Sequence, residues 1–145
     1  MVTPETSPHV MENGYHKKIL LVDLSRGKVE VKELENGVLR AHVGGASLAA
    51  ALTWRLLDKW QVDPLSPANV LTFMAGPLTG TLAPSSGRHA VTALSPLTGG
   101  WGESTSGGFF GCKLRRAGYD GIVVRGASER PVYLYIKDGE AEIRD

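Results

Sequence analysis

Residues 17–24, KKILLVDL, form a short apolar run, and residues 28–32, KVEVK, alternate apolar and polar at period two. With Ser25-Arg26-Gly27 between them, this pattern predicts a hairpin whose first strand is buried and whose second is half exposed. Asn36-Gly37 predicts a second turn, and residues 38–43 one helical turn. Leu48, Leu52, Leu56 and Trp60 then recur every fourth residue, which predicts a helix over 47–59 with one apolar face. The prolines of VDPLSP, 62–67, mark a stiff connector. VLTFMA at 70–75, RHAVTAL at 88–94 and DGIVVR at 120–125 predict three more strands. GGFFGCKLRRA at 107–117 predicts a short second helix, with Lys113, Arg115 and Arg116 placed well for its dipole and Gly118 as its C-cap. PVYLYIK, Asp138-Gly139 and residues 140–144 complete a second hairpin with a type I′ turn signal. The predicted fold is α+β, dominated by sheet: about seven strands and two helices, after a disordered lead at 1–13.

Residues 76–111 break this regularity. The stretch holds nine of the chain's 18 glycines, and Arg88 and Glu103 are its only fully charged side chains. Glycine inside a strand or helix costs about 0.5–1 kcal/mol relative to alanine, so such density implies main chain lying close to something. The stretch reads as a loop-built platform for a phosphate-bearing cofactor. Two copies of PLTG, each directly after a predicted strand, suggest two similar turns at one edge of the sheet.

The 145-residue length suits one domain with a core of its own. A net charge of +1, with no basic block, disfavours nucleic acid or an anionic membrane as partner. No apolar run is long enough to span a bilayer, and the lead has no signal-peptide pattern. The single cysteine, Cys112, excludes an internal disulfide and fits a reducing, cytoplasmic setting. It also excludes a four-cysteine iron–sulfur site within these residues.

Candidate chemistry concentrates in the platform. Arg88 follows PSSG, a flexible lead that lets a guanidinium grip a phosphate with two prongs; the competing reading is a surface arginine at a strand end. Ser104, Thr105, Ser106, Gly107 and Gly108 precede the second helix and can offer amides or carbonyls to an anion or metal; equally, Ser104 or Ser106 can simply cap that helix. Gly44-Gly45 is either an anion-facing turn or a tight turn packing the first helix on the sheet. Glu103 reads as a solvated charge rather than a catalytic acid, and Cys112 as a small core residue rather than a reactive thiol. His89 neighbours Arg88 on a strand and so points to the opposite face. The four histidines have no mutual ligand spacing, and neither GxxxxGK[ST] nor GxGxxG occurs.

GYHKKILLVDLSRGKVEV, VDPLSPANVLTFMAGPLTGT, GRHAVTALSPLTGG, SGGFFG, LRRAGYDGIVVRG and ERPVYLYIKDGEAEIRD, in that order, resemble the N-terminal domain of the aldehyde:ferredoxin oxidoreductases. The resemblance covers residues 14–145. It implies a β-rich platform for a tungsten- or molybdenum-bis-pterin cofactor, with Arg88 on a pterin phosphate. It implies that the backbone carbonyl of Thr105, where the family often has asparagine, meets a magnesium ion bridging the phosphates. Ser106, Gly107 and Gly108 then lie where main chain meets pterin, and no catalytic side chain is implied. Ala46-Ser47 departs from the Arg-Gly of many relatives. In the family the 4Fe-4S cluster and the substrate-facing residues belong to C-terminal domains, which are expected to be absent from this chain. The implied activity is oxidation of aldehydes to carboxylic acids with ferredoxin as acceptor, in concert with those domains or a partner chain; the isolated chain is expected to be inactive. The alternative is a non-catalytic cofactor-carrier or interaction module that kept the fold.

Overall fold

A computed structural model of the chain describes residues 14–57 and 61–145. The predicted first hairpin is present as β1 (Lys18–Asp23) and β2 (Lys28–Glu33), antiparallel with Lys18 opposite Glu33 and Asp23 opposite Lys28. β1 sits inside a six-stranded sheet of order β2-β1-β6-β3-β4-β5. The other strands are β3 (Val70–Ala75), β4 (His89–Leu94), β5 (Trp101–Ser106) and β6 (Gly121–Arg125). β6 runs parallel to β1 and antiparallel to β3.

The unbroken apolar run of β1 has a direct cause, because both sheet faces are covered. Ile19 packs on one face with Leu48, Leu52, Val70, Met74 and Val123. Leu20 and Val22 pack on the other with Leu114, Tyr119 and Ile122. The first face is covered by α1 (Asn36–His42) and α2 (Gly45–Leu56). The second is covered by α3 (Phe110–Arg116) and by the hairpin of β7 (Tyr133–Lys137) and β8 (Glu140–Arg144). The Asp138-Gly139 turn of that hairpin has φ of 50° and 85°, the doubly positive pair that a type I′ turn needs.

Among the described residues, eight strands and three helices stand where the pattern predicts about seven and two, and the α+β class holds. Asn36-Gly37 is not a turn but the first turn of α1. The amide of Leu39 donates to the carbonyl of Glu35 at 3.2 Å, and Leu39 itself is buried in the core. Anchoring one leucine there outweighs the poor propensity of glycine. α2 begins at Gly45 and ends at Leu56, earlier than predicted; residues 58–60, and with them Trp60, lie outside the described residues, as does the lead at 1–13. β5 takes up WGESTS, read above as loop. It pairs with β4 from His89 opposite Ser106 to Leu94 opposite Trp101. Its residues are mostly exposed, so no buried face writes an apolar alternation into the sequence.

The two PLTG turns are not neighbours. β3 and β4 are antiparallel, so the turn after β3 and the turn after β4 lie at opposite ends of the sheet. The second sits beside Asn69, whose amide donates to the Leu94 carbonyl at 3.1 Å.

Candidate functional site

Four segments converge at the end of the sheet where β3 finishes and β4 begins. They are the α1–α2 junction, the turn after β3, the start of β4 and the end of β5. Val43, Gly44, Gly45, Gly76, Pro77, Thr79, Arg88, Glu103 and Thr105 line an open hollow of about 350 Å³ between them. Register explains the grouping. Ala90 faces Thr105 and Thr92 faces Glu103 across the β4–β5 ladder, so Thr105 and Glu103 share the sheet face of Ala90. Arg88, two residues before Ala90, takes the same side. Its Nη1 donates to Oγ1 of Thr105 at 3.0 Å, an exposed contact between residues 17 apart in sequence.

The turn after β3 is held by a residue the sequence reading passed over. Thr79 is buried, accepts the amide of Gly76 at 3.0 Å and donates to the carbonyl of Arg88 at 2.9 Å. One hydroxyl therefore ties the loop to the first residue before β4. Threonine three residues after glycine is a side-chain-to-backbone turn pattern, so a local signal was there to be read.

Gly44 serves close packing: a Cβ there would stand 3.1 Å from the Ala75 carbonyl and from Gly76. The tight-turn reading of Gly44-Gly45 is thus the one realised, and it also brings main chain to the rim of the hollow. At Gly45, by contrast, a Cβ would meet nothing within 4 Å. Gly107 and Gly108 are open in the same way, and Gly108 has a φ of 85°. Ser106, Gly107 and Gly108 follow Thr105 and are exposed, outside the residues lining the hollow itself. They stay near Arg88, because a Cβ on Gly87 would stand 3.1 Å from the Gly108 carbonyl. Ser104 and Ser106 do not cap α3; its N-cap is Phe109, with no side-chain cap bond. Both serines belong to β5 instead.

His89 is also among the residues lining the hollow, but its ring packs on Phe110 of α3. It is 6% exposed, with its ring 4.8 Å from that of Phe110 under α3. Its Nδ1 has no hydrogen-bond partner, and burial holds its pKa below the usual imidazole value. Cys112 is half-buried on α3 and not a core residue. Among the described residues, no group of three or more His, Cys, Asp or Glu is placed to hold a metal ion. No helix among them is long and apolar enough to cross a membrane.

Residues 19–145 match the family model described as aldehyde ferredoxin oxidoreductase, N-terminal domain. The chain belongs to that family. It is 48% identical over 132 residues to a tungsten-containing aldehyde ferredoxin oxidoreductase of Pyrococcus furiosus, a match of 91% of this chain and 22% of the relative. A tungsten-containing aldehyde ferredoxin oxidoreductase of Thermococcus kodakarensis is 47% identical over the same shares. An aliphatic sulfonate oxidoreductase WOR-like subunit of Pyrococcus furiosus is 41% identical over 91% of this chain and 21% of its own length. Among solved structures, the active site complex BamBC of benzoyl coenzyme A reductase with 1,5-dienoyl-CoA is 38% identical. It superposes with a TM-score of 0.89, covering 93% of this chain and 20% of that one. The chain therefore spans about a fifth of the length of these relatives.

The hollow's lining carries one guanidinium, Arg88, and one carboxylate, Glu103. An exposed guanidinium stands at its wall, and bare glycine backbone at Gly45, and again at Gly107 and Gly108 past Thr105, lets a flat ligand approach amides and carbonyls without side chains between.

Proposed function

We propose that the chain is the cofactor-binding N-terminal domain, or a separate subunit, of a tungsten- or molybdenum-pterin oxidoreductase. That enzyme oxidises aldehydes to carboxylic acids and passes the electrons to ferredoxin. The observation that carries the reading is the convergence of Arg88, Thr105 and the Gly44-Gly45 and Gly76-Pro77 turns on one hollow.

Arg88 binds a pterin phosphate; its exposed guanidinium has donors to spare after the bond to Thr105. Thr105 would hold a magnesium ion through its main-chain carbonyl. β5 is the edge strand of its sheet, and an edge leaves part of its carbonyls without a partner strand. Ser106, Gly107 and Gly108 provide main chain against the pterin. When bound, the metal–pterin supplies the two-electron redox chemistry. This domain's own share is to fix the group in place and to neutralise part of its charge. The 4Fe-4S cluster and the substrate contacts fall to the polypeptide that relatives carry beyond this domain.

The test is Arg88→Ala in the assembled protein. Tungsten or molybdenum retained through purification is expected to fall at least tenfold while the melting temperature stays unchanged. Unchanged metal content would sink the proposal, as would an unfolded domain whose folded fraction keeps its metal.

A further inference from the structure

The hollow that carries Arg88 also carries a carboxylate that the cofactor contacts do not use. Glu103 lies on β5 opposite Thr92 and two residues before Thr105, and it lines the hollow on the sheet face they share. Same-face neighbours on a strand stand about 7 Å apart, so Glu103 is one such step from the residue that Arg88 grips. Arg88 and Glu103 nevertheless do not pair. Arg88 donates to Oγ1 of Thr105, and the Glu103 carboxylate has no ion-pair or hydrogen-bond partner among the described residues.

The third titratable group of the lining, His89, is buried against Phe110 and stays neutral at neutral pH, because burial lowers its pKa. The lining thus holds one positive and one negative charge. That balance is a poor match for a phosphate alone. A phosphate at Arg88 brings its negative charge close to an unpaired carboxylate, and like charges at such range repel. A divalent cation between the two reverses the sign. Magnesium takes one or two carboxylates, phosphate oxygens and several waters. Glu103 supplies the carboxylate, and an open hollow of about 350 Å³ leaves room for the waters.

We propose that Glu103 makes anion binding in this hollow conditional on a divalent cation. Its carboxylate repels a bare phosphate, and it holds the cation through which a phosphate at Arg88 is accepted. The hollow thereby takes a phosphate ester that arrives with its cation and discriminates against free anions of similar size. The inference rests on the proposed phosphate contact of Arg88 and adds to it a side chain that sets specificity.

The full chain, dialysed free of anions and metals, is titrated with inorganic phosphate by phosphorus NMR, with and without magnesium. Magnesium is expected to tighten phosphate binding about tenfold, an ordinary coupling between two ligands. Glu103→Gln is expected to act with opposite signs in the two conditions. It tightens phosphate binding without magnesium, weakens it with magnesium, and so abolishes the coupling. Glu103→Asp keeps part of it. Glu103 is exposed, so both variants are expected to melt with the parent chain. A solvated charge would instead give Glu103→Gln the same small gain in phosphate affinity in both conditions, and that result would overturn the proposal. Arg88→Ala separates the two readings. Phosphate binding that depends on Arg88, with the magnesium coupling unchanged in Glu103→Gln, defeats this inference alone. Phosphate binding that is absent, or indifferent to Arg88→Ala, defeats the phosphate contact and this inference with it.

Discussion

Arg115 and Asp120 form an ion pair in the interior, 4% and 2% exposed, that ties the end of α3 to the start of β6. The same carboxylate accepts the main-chain amides of His16 at 3.1 Å and Lys17 at 2.7 Å, and Arg115 also donates to the Gly14 carbonyl. The pair thus fastens the chain entering β1 to the corner between α3 and β6. In sequence, Arg115 looks like one of three cations in a helix's last turn; only the fold shows that it points inward.

Removing one member of such a pair leaves the other charge buried and uncompensated. Arg115→Met is expected to cost about 3–5 kcal/mol in urea unfolding. Arg115→Met combined with Asp120→Leu is expected to cost clearly less than the sum of the two single changes, because the double variant leaves no orphaned charge. Additive losses would show that the two residues act independently.

Thr79 offers a sharper test of how the hollow is built. Thr79→Val keeps the shape and deletes both bonds of the hydroxyl, to the Gly76 amide and the Arg88 carbonyl. Two main-chain groups lose their partners, for an expected loss of about 1–3 kcal/mol in thermal unfolding. Thr79→Ser restores most of it. If Thr79→Val and Thr79→Ser melt alike, the hydroxyl does not hold the loop.

The buried imidazole of His89 gives the domain an acid-sensitive element. Its pKa is lowered by burial, so the unfolded chain takes up a proton that the folded chain does not. The stability this contributes is fully present above the ordinary imidazole value of about 6.5 and is lost as pH falls from there towards the folded pKa. Melting temperature is expected to decline as pH drops through that window, and His89→Phe to flatten the decline, since Phe110 already supplies an aromatic neighbour. A curve for His89→Phe that tracks the parent would show that other groups carry the acid response.

By itself the sequence determined what depends on local period and turn chemistry. The apolar run and period-two alternation of β1 and β2, the four-residue leucine spacing of α2 and the Asp138-Gly139 turn were all legible, because each records which side of a short segment is dry. The register rule that sends Arg88 and His89 to opposite faces was legible too. What only the tertiary structure decided involves a distant partner. β5 exists because β4 offers it a ladder, and the two PLTG turns part company because adjacent strands run in opposite directions. Arg115 becomes an interior residue because Asp120 and the Gly14 carbonyl wait for it, and Arg88 meets Thr105 through strand register. Pairing direction, register and burial of a charge arise from contacts between residues far apart in the chain, and no local pattern of apolar and polar positions encodes them.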